Sequence, residues 1–137
     1  MHNIATEHTL NKEQLLAFGL VARHLHHHER KPLRMYLGGI GGTGKSTVVR
    51  ALTQFLTERG EAHRFLVLAP TGSAACNIDG QTYHSALGIR RSSAEGGSSL
   101  QTALAKLRGC LQGVDLIFID EVSMISCSDL YTISVQL

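Results

Sequence analysis

The period of the apolar positions changes several times along the chain, and each change marks an element. Leu15, Phe18, Ala22 and Leu25 recur on one helix face, and Asn11 with Gln14 three residues later forms a capping box. The pattern therefore predicts a first helix from about Lys12 to His28. Lys31, Pro32 and Leu33 break it, and the short apolar run Arg34 to Leu37 ends in glycines, which predicts a strand feeding a loop. Val48, Val49, Leu52, Phe55 and Leu56 form the stripe of a second helix that starts near Lys45 and stops at Gly60. Phe65 to Ala69 is a continuous β-prone run halted by Pro70, the pattern of a strand buried on both faces. Strand, helix and strand together predict a right-handed βαβ unit.

Beyond Pro70, Thr71 to Asp79 is small and polar enough for a short helix, with a turn at Asp79-Gly80. The Arg-, Ser- and Gly-rich stretch from Arg90 to Ser99 reads as a mobile loop. Leu100, Leu104, Leu107 and Leu111 mark a third helix stopped near Gly113, and Leu116 to Ile119 is another buried strand, running into Asp120 and Glu121. A last helix begins near Ser128, and the chain stops inside it at Leu137, which reads as a cut. Helices alternating with strands predict an α/β fold, a parallel sheet between two helical layers in a three-layer sandwich.

Composition narrows the class without naming a partner. The 137 residues suit one domain, and 43% hydrophobic with 18% charged residues excludes a disordered chain. No apolar stretch approaches the ~20 residues of a membrane span. Met1 to Leu10 carries His2, Glu7 and His8 where a secretory signal would be apolar, so an intracellular protein is expected. Cys76, Cys110 and Cys127 are odd in number and lack CxxC spacing, which predicts buried or idle thiols, not a zinc site or disulfide framework. A net charge of +2 is too small to indicate nucleic acid. The glycine count of 14 is the informative number, because several of them cluster between Gly38 and Gly44.

That cluster is Gly39-Ile40-Gly41-Gly42-Thr43-Gly44-Lys45-Ser46, which fits G-x-x-x-x-G-K-[ST] at every position, and Thr47 follows it. Glycines let backbone N–H groups turn inward around phosphates, and the helix starting near Lys45 points its positive end at them. Lys45 supplies the full charge for the terminal phosphates, and Ser46 offers a hydroxyl to Mg2+. Asp120-Glu121 ends a buried strand, and in open parallel sheets ligands sit at the carboxyl ends of the strands. Asp120 is therefore expected to serve the magnesium ion and Glu121 to orient and deprotonate the attacking water. His24, His26, His27 and His28 cluster at the end of the first helix, where they complement its dipole and do not complete a metal set.

These residues resemble the Pif-type DNA helicases of superfamily one, relatives of RecD, with the helicase-like proteins of fungi and Helitron transposons as the closest flavour. Five segments carry the resemblance in order: Asn11 to Gln14, the phosphate loop, Ala69 to Ala75, Gly80 to Ser85, and Ile119 to Met124. The resemblance implies a RecA-like motor domain that binds ATP and Mg2+, hydrolyses ATP and unwinds DNA from 5′ to 3′, in a nuclear or mitochondrial setting. Carried over by position, Gln14 would hydrogen-bond the adenine, Pro70, Thr71 and Gly72 would follow single-stranded DNA, and Thr82, His84 and Ser85 would form the next DNA-contacting segment. Thr71 suits equally the N-cap of the short helix. Asp79 departs from the pattern with a negative charge near the implied DNA path. The family continues with a glutamine-bearing motif and a second motor domain that supplies arginines to the γ-phosphate. The chain is thus expected to be the N-terminal part of the first motor domain, incomplete at its C-terminal end, with little activity alone. The alternative is an ATP-binding remnant of a transposon helicase without motor activity. A small kinase would need a lid that is not visible, and a GTPase would need an [NT]KxD motif that is absent.

Overall fold

The computed structural model describes residues 2–26, 32–89 and 100–137, and these divide into two compact units, Met1–Phe65 and Leu66–Leu137. The predicted loop from Arg90 to Ser99 lies outside the described residues, as do His27, His28 and Lys31. Among the described residues no helix is long and apolar enough to cross a membrane.

The first unit is helical. Helix α1 (His2–Glu7) was not expected from the apolar pattern, because Ile4 is the only large apolar residue it offers. It ends in a Schellman motif, with Leu10 N–H donating to Ala5 O at 3.1 Å and Thr9 N–H to Thr6 O at 3.0 Å. The left-handed position of that motif is held by Thr9 (φ 48°), so no glycine flags the helix end in the sequence. Helix α2 (Lys12–His26) follows the predicted cap: Gln14 N–H donates to Asn11 Oδ1, and Asn11 N–H to Gln14 Oε1, both at 2.9 Å. Helix α3 (Lys45–Glu58) presents the predicted stripe, and Phe55 meets Phe18 of α2 edge to face with ring centres 5.8 Å apart. It closes at Gly60, whose N–H donates to Thr57 O while Glu61 N–H donates to Leu56 O. A 3-10 turn (Ala62–Arg64) completes the unit.

The strand expected at Arg34 to Leu37 is not formed, and with it goes the predicted βαβ unit. Residues 32–40 adopt no regular structure. Three apolar side chains make a strand only when a neighbour supplies the ladder and a face to cover them. Here Tyr36 is 81% exposed and Met35 43%.

The second unit holds a three-stranded parallel sheet in the order β2-β1-β3, formed by β1 (Phe65–Ala69), β2 (Gln81–Thr82) and β3 (Leu116–Ile119). Strand β1 begins at the last residue of the first unit. It is central and buried, with Leu68 opposite Gln81 and Ala69 opposite Thr82. Leu66 and Leu68 join Ile117 and Ile119 in a cluster with Tyr83, Ala86 and Leu87 of α5 (Tyr83–Leu87), Leu107 and Leu111 of α6 (Leu100–Leu111) and Ile133 of α7 (Cys127–Gln136). Strand β3 is half-buried along its length instead of buried on both faces, because it is the edge of the sheet. Helix α4 (Gly72–Asn77) lies between β1 and β2 in the chain and is the predicted short helix. All three cysteines are free thiols, as the expectation of buried or idle thiols allows: Cys76 and Cys127 are exposed, and Cys110 packs against the cluster.

Candidate functional site

The phosphate-loop motif turns directly into α3, and the helix start explains its residues. Gly44 is the N-cap, in the left-handed region (φ 80°, ψ 27°), and provides no side-chain cap to the first turn. Its N–H groups and dipole are thus free of a competing side-chain oxygen, as an anion site requires. Thr43 Oγ1 donates to Ile40 O at 2.9 Å and tightens the preceding turn. Lys45 folds back over the loop, its Nζ donating to Gly39 O at 2.8 Å and Ile40 O at 3.2 Å. An ammonium has three protons, so one direction remains, and the two neutral carbonyls are weaker partners than a phosphate would be. Ser46 and Thr47 stand half-buried on the first turn of α3, and Gly41 and Gly42 form the outer bend of the loop.

The structure brings Gln14 to this loop. Its Nε2 donates to Thr43 O at 3.1 Å and to Gly44 O at 3.3 Å, while Oε1 holds Asn11 N–H. The spacing of the capping box was legible in the sequence, but the reach across 29 residues to Thr43 was not.

In the second unit three parallel strands deliver their carboxyl ends to one edge, and every remaining candidate residue follows one of those ends. After β1 come Pro70, buried, and Thr71, whose Oγ1 accepts from Ala74 N–H at 3.2 Å and caps α4. Gly72 is the first residue of that helix. At the end of β2, Thr82 Oγ1 accepts from Ser85 N–H at 3.3 Å and caps α5. His84 stacks on Tyr83, with ring centres 4.1 Å apart and 29° between planes, so one face of its imidazole is occupied within the protein. Asp79 is explained by the turn between α4 and β2, where it takes a left-handed conformation (φ 50°) that aspartate tolerates better than most residues.

After β3, Asp120 N–H extends the sheet by donating to Leu68 O at 2.8 Å, leaving its carboxylate half-buried at the strand end. Glu121 is exposed and left-handed (φ 47°, ψ 42°), where a side chain with a Cβ is strained by roughly 1–2 kcal/mol. The strain turns the chain sharply into the 3-10 turn Val122–Met124 and presents the carboxylate outward. Sequence reading missed Tyr83, which is 3% exposed and donates its OH to Asp129 Oδ2 at 3.0 Å, fixing α5 against α7. Its one signal was a tyrosine between two polar candidates.

Ser46 and Asp120 carry hard oxygen donors of the kind magnesium takes. Among the described residues no group of three or more His, Cys, Asp or Glu is placed to hold a metal ion. His24 is half-buried and His26 exposed in the last turn of α2.

Comparison with known proteins finds similarity over nearly the whole chain. The chain is 40% identical over 91 residues to an ATP-dependent DNA helicase PIF1 of Trypanosoma brucei brucei, covering 66% of this chain and 8% of that protein. It is 32% identical over 120 residues to the PIF4 helicase of the same organism, covering 85% of this chain and 13% of the relative. A Pif1 helicase of Bdellovibrio bacteriovorus is 36% identical over 93 residues, 66% of this chain and 20% of the relative. The matched part is thus a fifth or less of each of these relatives. No solved structure matches. The sequence profile of the PIF1-like helicases matches residues 9–133, and the chain belongs to that family.

Proposed function

We propose that this chain is the nucleotide-binding part of an ATP-dependent DNA helicase, working from 5′ to 3′ on single-stranded DNA and built on a RecA-like three-layer sandwich. The observation that carries the reading is the loop Gly39–Ser46: it closes onto the uncapped start of a 14-residue helix and keeps the Lys45 ammonium inside its own bend. Triphosphate oxygens would replace the Gly39 and Ile40 carbonyls on Lys45, exchanging neutral acceptors for charged ones. Gly41, Gly42, Thr43, Gly44 and Thr47 shape the backbone around the phosphates, and Ser46 with Asp120 would hold Mg2+, Asp120 through water. The metal supplies charge neutralisation at the phosphates. Glu121 would orient and deprotonate the attacking water. Pro70, Thr71 and Gly72, then Thr82, His84 and Ser85, would contact the DNA backbone, as the family relation and the hydroxyls at the strand ends support.

Calorimetric titration with a non-hydrolysable ATP analogue and magnesium tests the loop. Lys45→Ala should lose about 2–5 kcal/mol, a 30-fold or greater fall in affinity. Equal dissociation constants for the two proteins would remove the loop as the nucleotide site. Hydrolysis and unwinding belong in a chain of the relatives' length, since an arginine from a second motor domain contributes about 10³–10⁵ in rate where such arginines act.

A further inference from the structure

The buried phenol of Tyr83 joins two segments to which separate tasks fall. Its ring carries the His84 imidazole, stacked at 4.1 Å between centres, and its OH donates to Asp129 Oδ2 at 3.0 Å. Thr82, which precedes it, is both the last residue of β2 and the N-cap of α5. On the other side, Asp129 lies in the first turn of α7, and its N–H donates to Ser126 Oγ, the cap of that helix. The stretch from Glu121 to Asp129 is tied turn by turn: Met124 N–H donates to Glu121 O at 2.9 Å, Ile125 N–H to Val122 O at 3.1 Å and Leu130 N–H to Ser126 O at 2.9 Å. Asp120 is fixed to β1 through Leu68 O, and β1 pairs with β2 at Ala69 and Thr82. The Tyr83 hydrogen bond therefore closes a ring of contacts that runs from β1 through β2, Tyr83, Asp129 and the Glu121 turn back to β1. Ile125 and Ile133 pack in the same cluster as Tyr83, but apolar contact has no direction of its own. For packing alone a phenylalanine would serve, since the hydroxyl adds nothing to an apolar cluster and requires a polar partner.

We propose that Tyr83 is a positioning residue that transmits DNA occupancy at Thr82, His84 and Ser85 to the Glu121 carboxylate through its hydrogen bond to Asp129. This rests on the reading of those three residues as a DNA-contacting segment and of Glu121 as the base for water. A strand that displaces His84 turns the ring on which it is stacked. The hydroxyl takes Asp129 with it, and the capped start of α7 passes the movement to the Glu121 turn. A hydrogen bond to a charged group corresponds to about ten-fold or more in an equilibrium.

The test is ATP turnover with and without single-stranded DNA, in a chain of the relatives' length. Tyr83→Phe keeps the ring and its stack and removes the tie, and Asp129→Ala removes it from the other side. Asp129→Asn keeps an oxygen acceptor for the phenol. Asp129 is half-buried, so its carboxylate reaches water once the phenol proton is gone, and Tyr83→Phe should fold. Tyr83→Phe and Asp129→Ala should each lower the acceleration by DNA about ten-fold. Turnover without DNA should stay at the wild-type value, as should oligonucleotide affinity read by fluorescence anisotropy. The double variant should lose no more than either single one, and Asp129→Asn should keep the wild-type acceleration. Full acceleration in Tyr83→Phe, at any melting temperature, would reduce the bond to a stability contact and overturn the proposal. An equal fall in turnover with and without DNA would overturn it too, because a general loosening of the unit produces that result. Wild-type protein whose turnover ignores DNA would instead remove the helicase reading, and the tie with it.

Discussion

Gly80 is where the packing of the second unit tolerates least. It follows the Asp79 turn and leads into β2, and it lies against β1. A Cβ added there would stand 2.7 Å from Val67 O, 3.0 Å from Val67 Cγ1 and 3.2 Å from Val67 C. Ordinary contact begins near about 3.4–3.5 Å, so the nearest approach is short by roughly 0.7 Å, and the opposing atom is backbone of the central strand. The oxygen cannot rotate away as a side chain would. Gly80→Ala must therefore push β2 outward or bend β1, loosening the pairs Leu68 with Gln81 and Ala69 with Thr82. Overpacking of this kind costs about 1–3 kcal/mol. At about 4 °C per kcal/mol for a chain of this size, the melting temperature should fall by about 4–12 °C. Gly109→Ala is the control: it lies in α6, and a Cβ there meets nothing within 4 Å. That change should instead raise stability by about 0.5–1 kcal/mol, because alanine is the better helix former. Circular dichroism melts of the three proteins decide the matter. A Gly80→Ala protein that melts with wild type would show that the close approach to Val67 is not a constraint, and would refute the reasoning.

Three further expectations follow from single residues. In a chain of the relatives' length, Glu121→Gln should abolish ATP turnover while leaving ATP affinity near wild type, whereas Asp120→Asn should weaken the magnesium-dependent part of binding; steady-state turnover with calorimetry separates them. Because Glu121 is left-handed, Glu121→Gly should melt no lower than wild type, and Glu121→Val, whose branched Cβ suits that region worse than glutamate, should melt lower. Hydrogen bonding from Arg59, joined by Arg64, holds the Glu61 carboxyl below its ordinary value of 4.5. A lowered folded-state pKa stabilises above the unfolded value and is lost as pH falls through the folded one, so urea melts below pH 4.5 should show wild type losing stability that Glu61→Gln does not lose.

What the sequence made legible was the elements whose side chains decide their own fate. The α3 stripe, the run Phe65 to Ala69, the run Leu116 to Ile119 and the Asn11–Gln14 box all have local chemistry strong enough to specify their structure, and each stands where the pattern placed it. Where an element depends on a partner, the pattern failed in both directions. Arg34 to Leu37 looked like a strand and is not one, for want of a ladder. Gln81-Thr82 showed no strand signal and is one, because β1 pairs with it. Helix α1 was hidden because Thr9 occupies a position that glycine normally marks. The glycine-rich loop was legible as a motif, since its glycines and lysine fit G-x-x-x-x-G-K-[ST] at every position. The hydrogen bonds from Gln14 to that loop were not, because nothing local ties position 14 to positions 43 and 44.

Thr71 illustrates how a residue can satisfy two readings that looked exclusive. The sequence allowed it to be a helix cap or a DNA contact, and the structure shows the cap. A hydroxyl, however, has two acceptor lone pairs and one proton, and capping uses only an acceptor. The O–H proton stays available, and the cap restricts where it can point. Thr82 repeats the arrangement one strand over, its Oγ1 accepting from Ser85 N–H. Both hydroxyls thus lie at the carboxyl ends of paired parallel strands, Thr82 as the last residue of β2 and Thr71 two residues beyond Ala69, which is opposite Thr82 in the register. A phosphate backbone laid along that edge would meet two oriented donors. Substitution at Thr71 separates the roles. Thr71→Asp keeps a good capping acceptor but has no proton to give and repels phosphate, so α4 should remain formed and stability near wild type. Single-stranded DNA affinity should fall, by about ten-fold or more for a lost charge-assisted hydrogen bond. Thr71→Ala should lose the affinity together with about 1 kcal/mol of stability, and Thr71→Ser should restore both. Fluorescence anisotropy on a labelled oligonucleotide, in a chain of the relatives' length, reads the affinity. If Thr71→Asp binds DNA as tightly as wild type, no phosphate comes near this hydroxyl and its work ends at the helix cap.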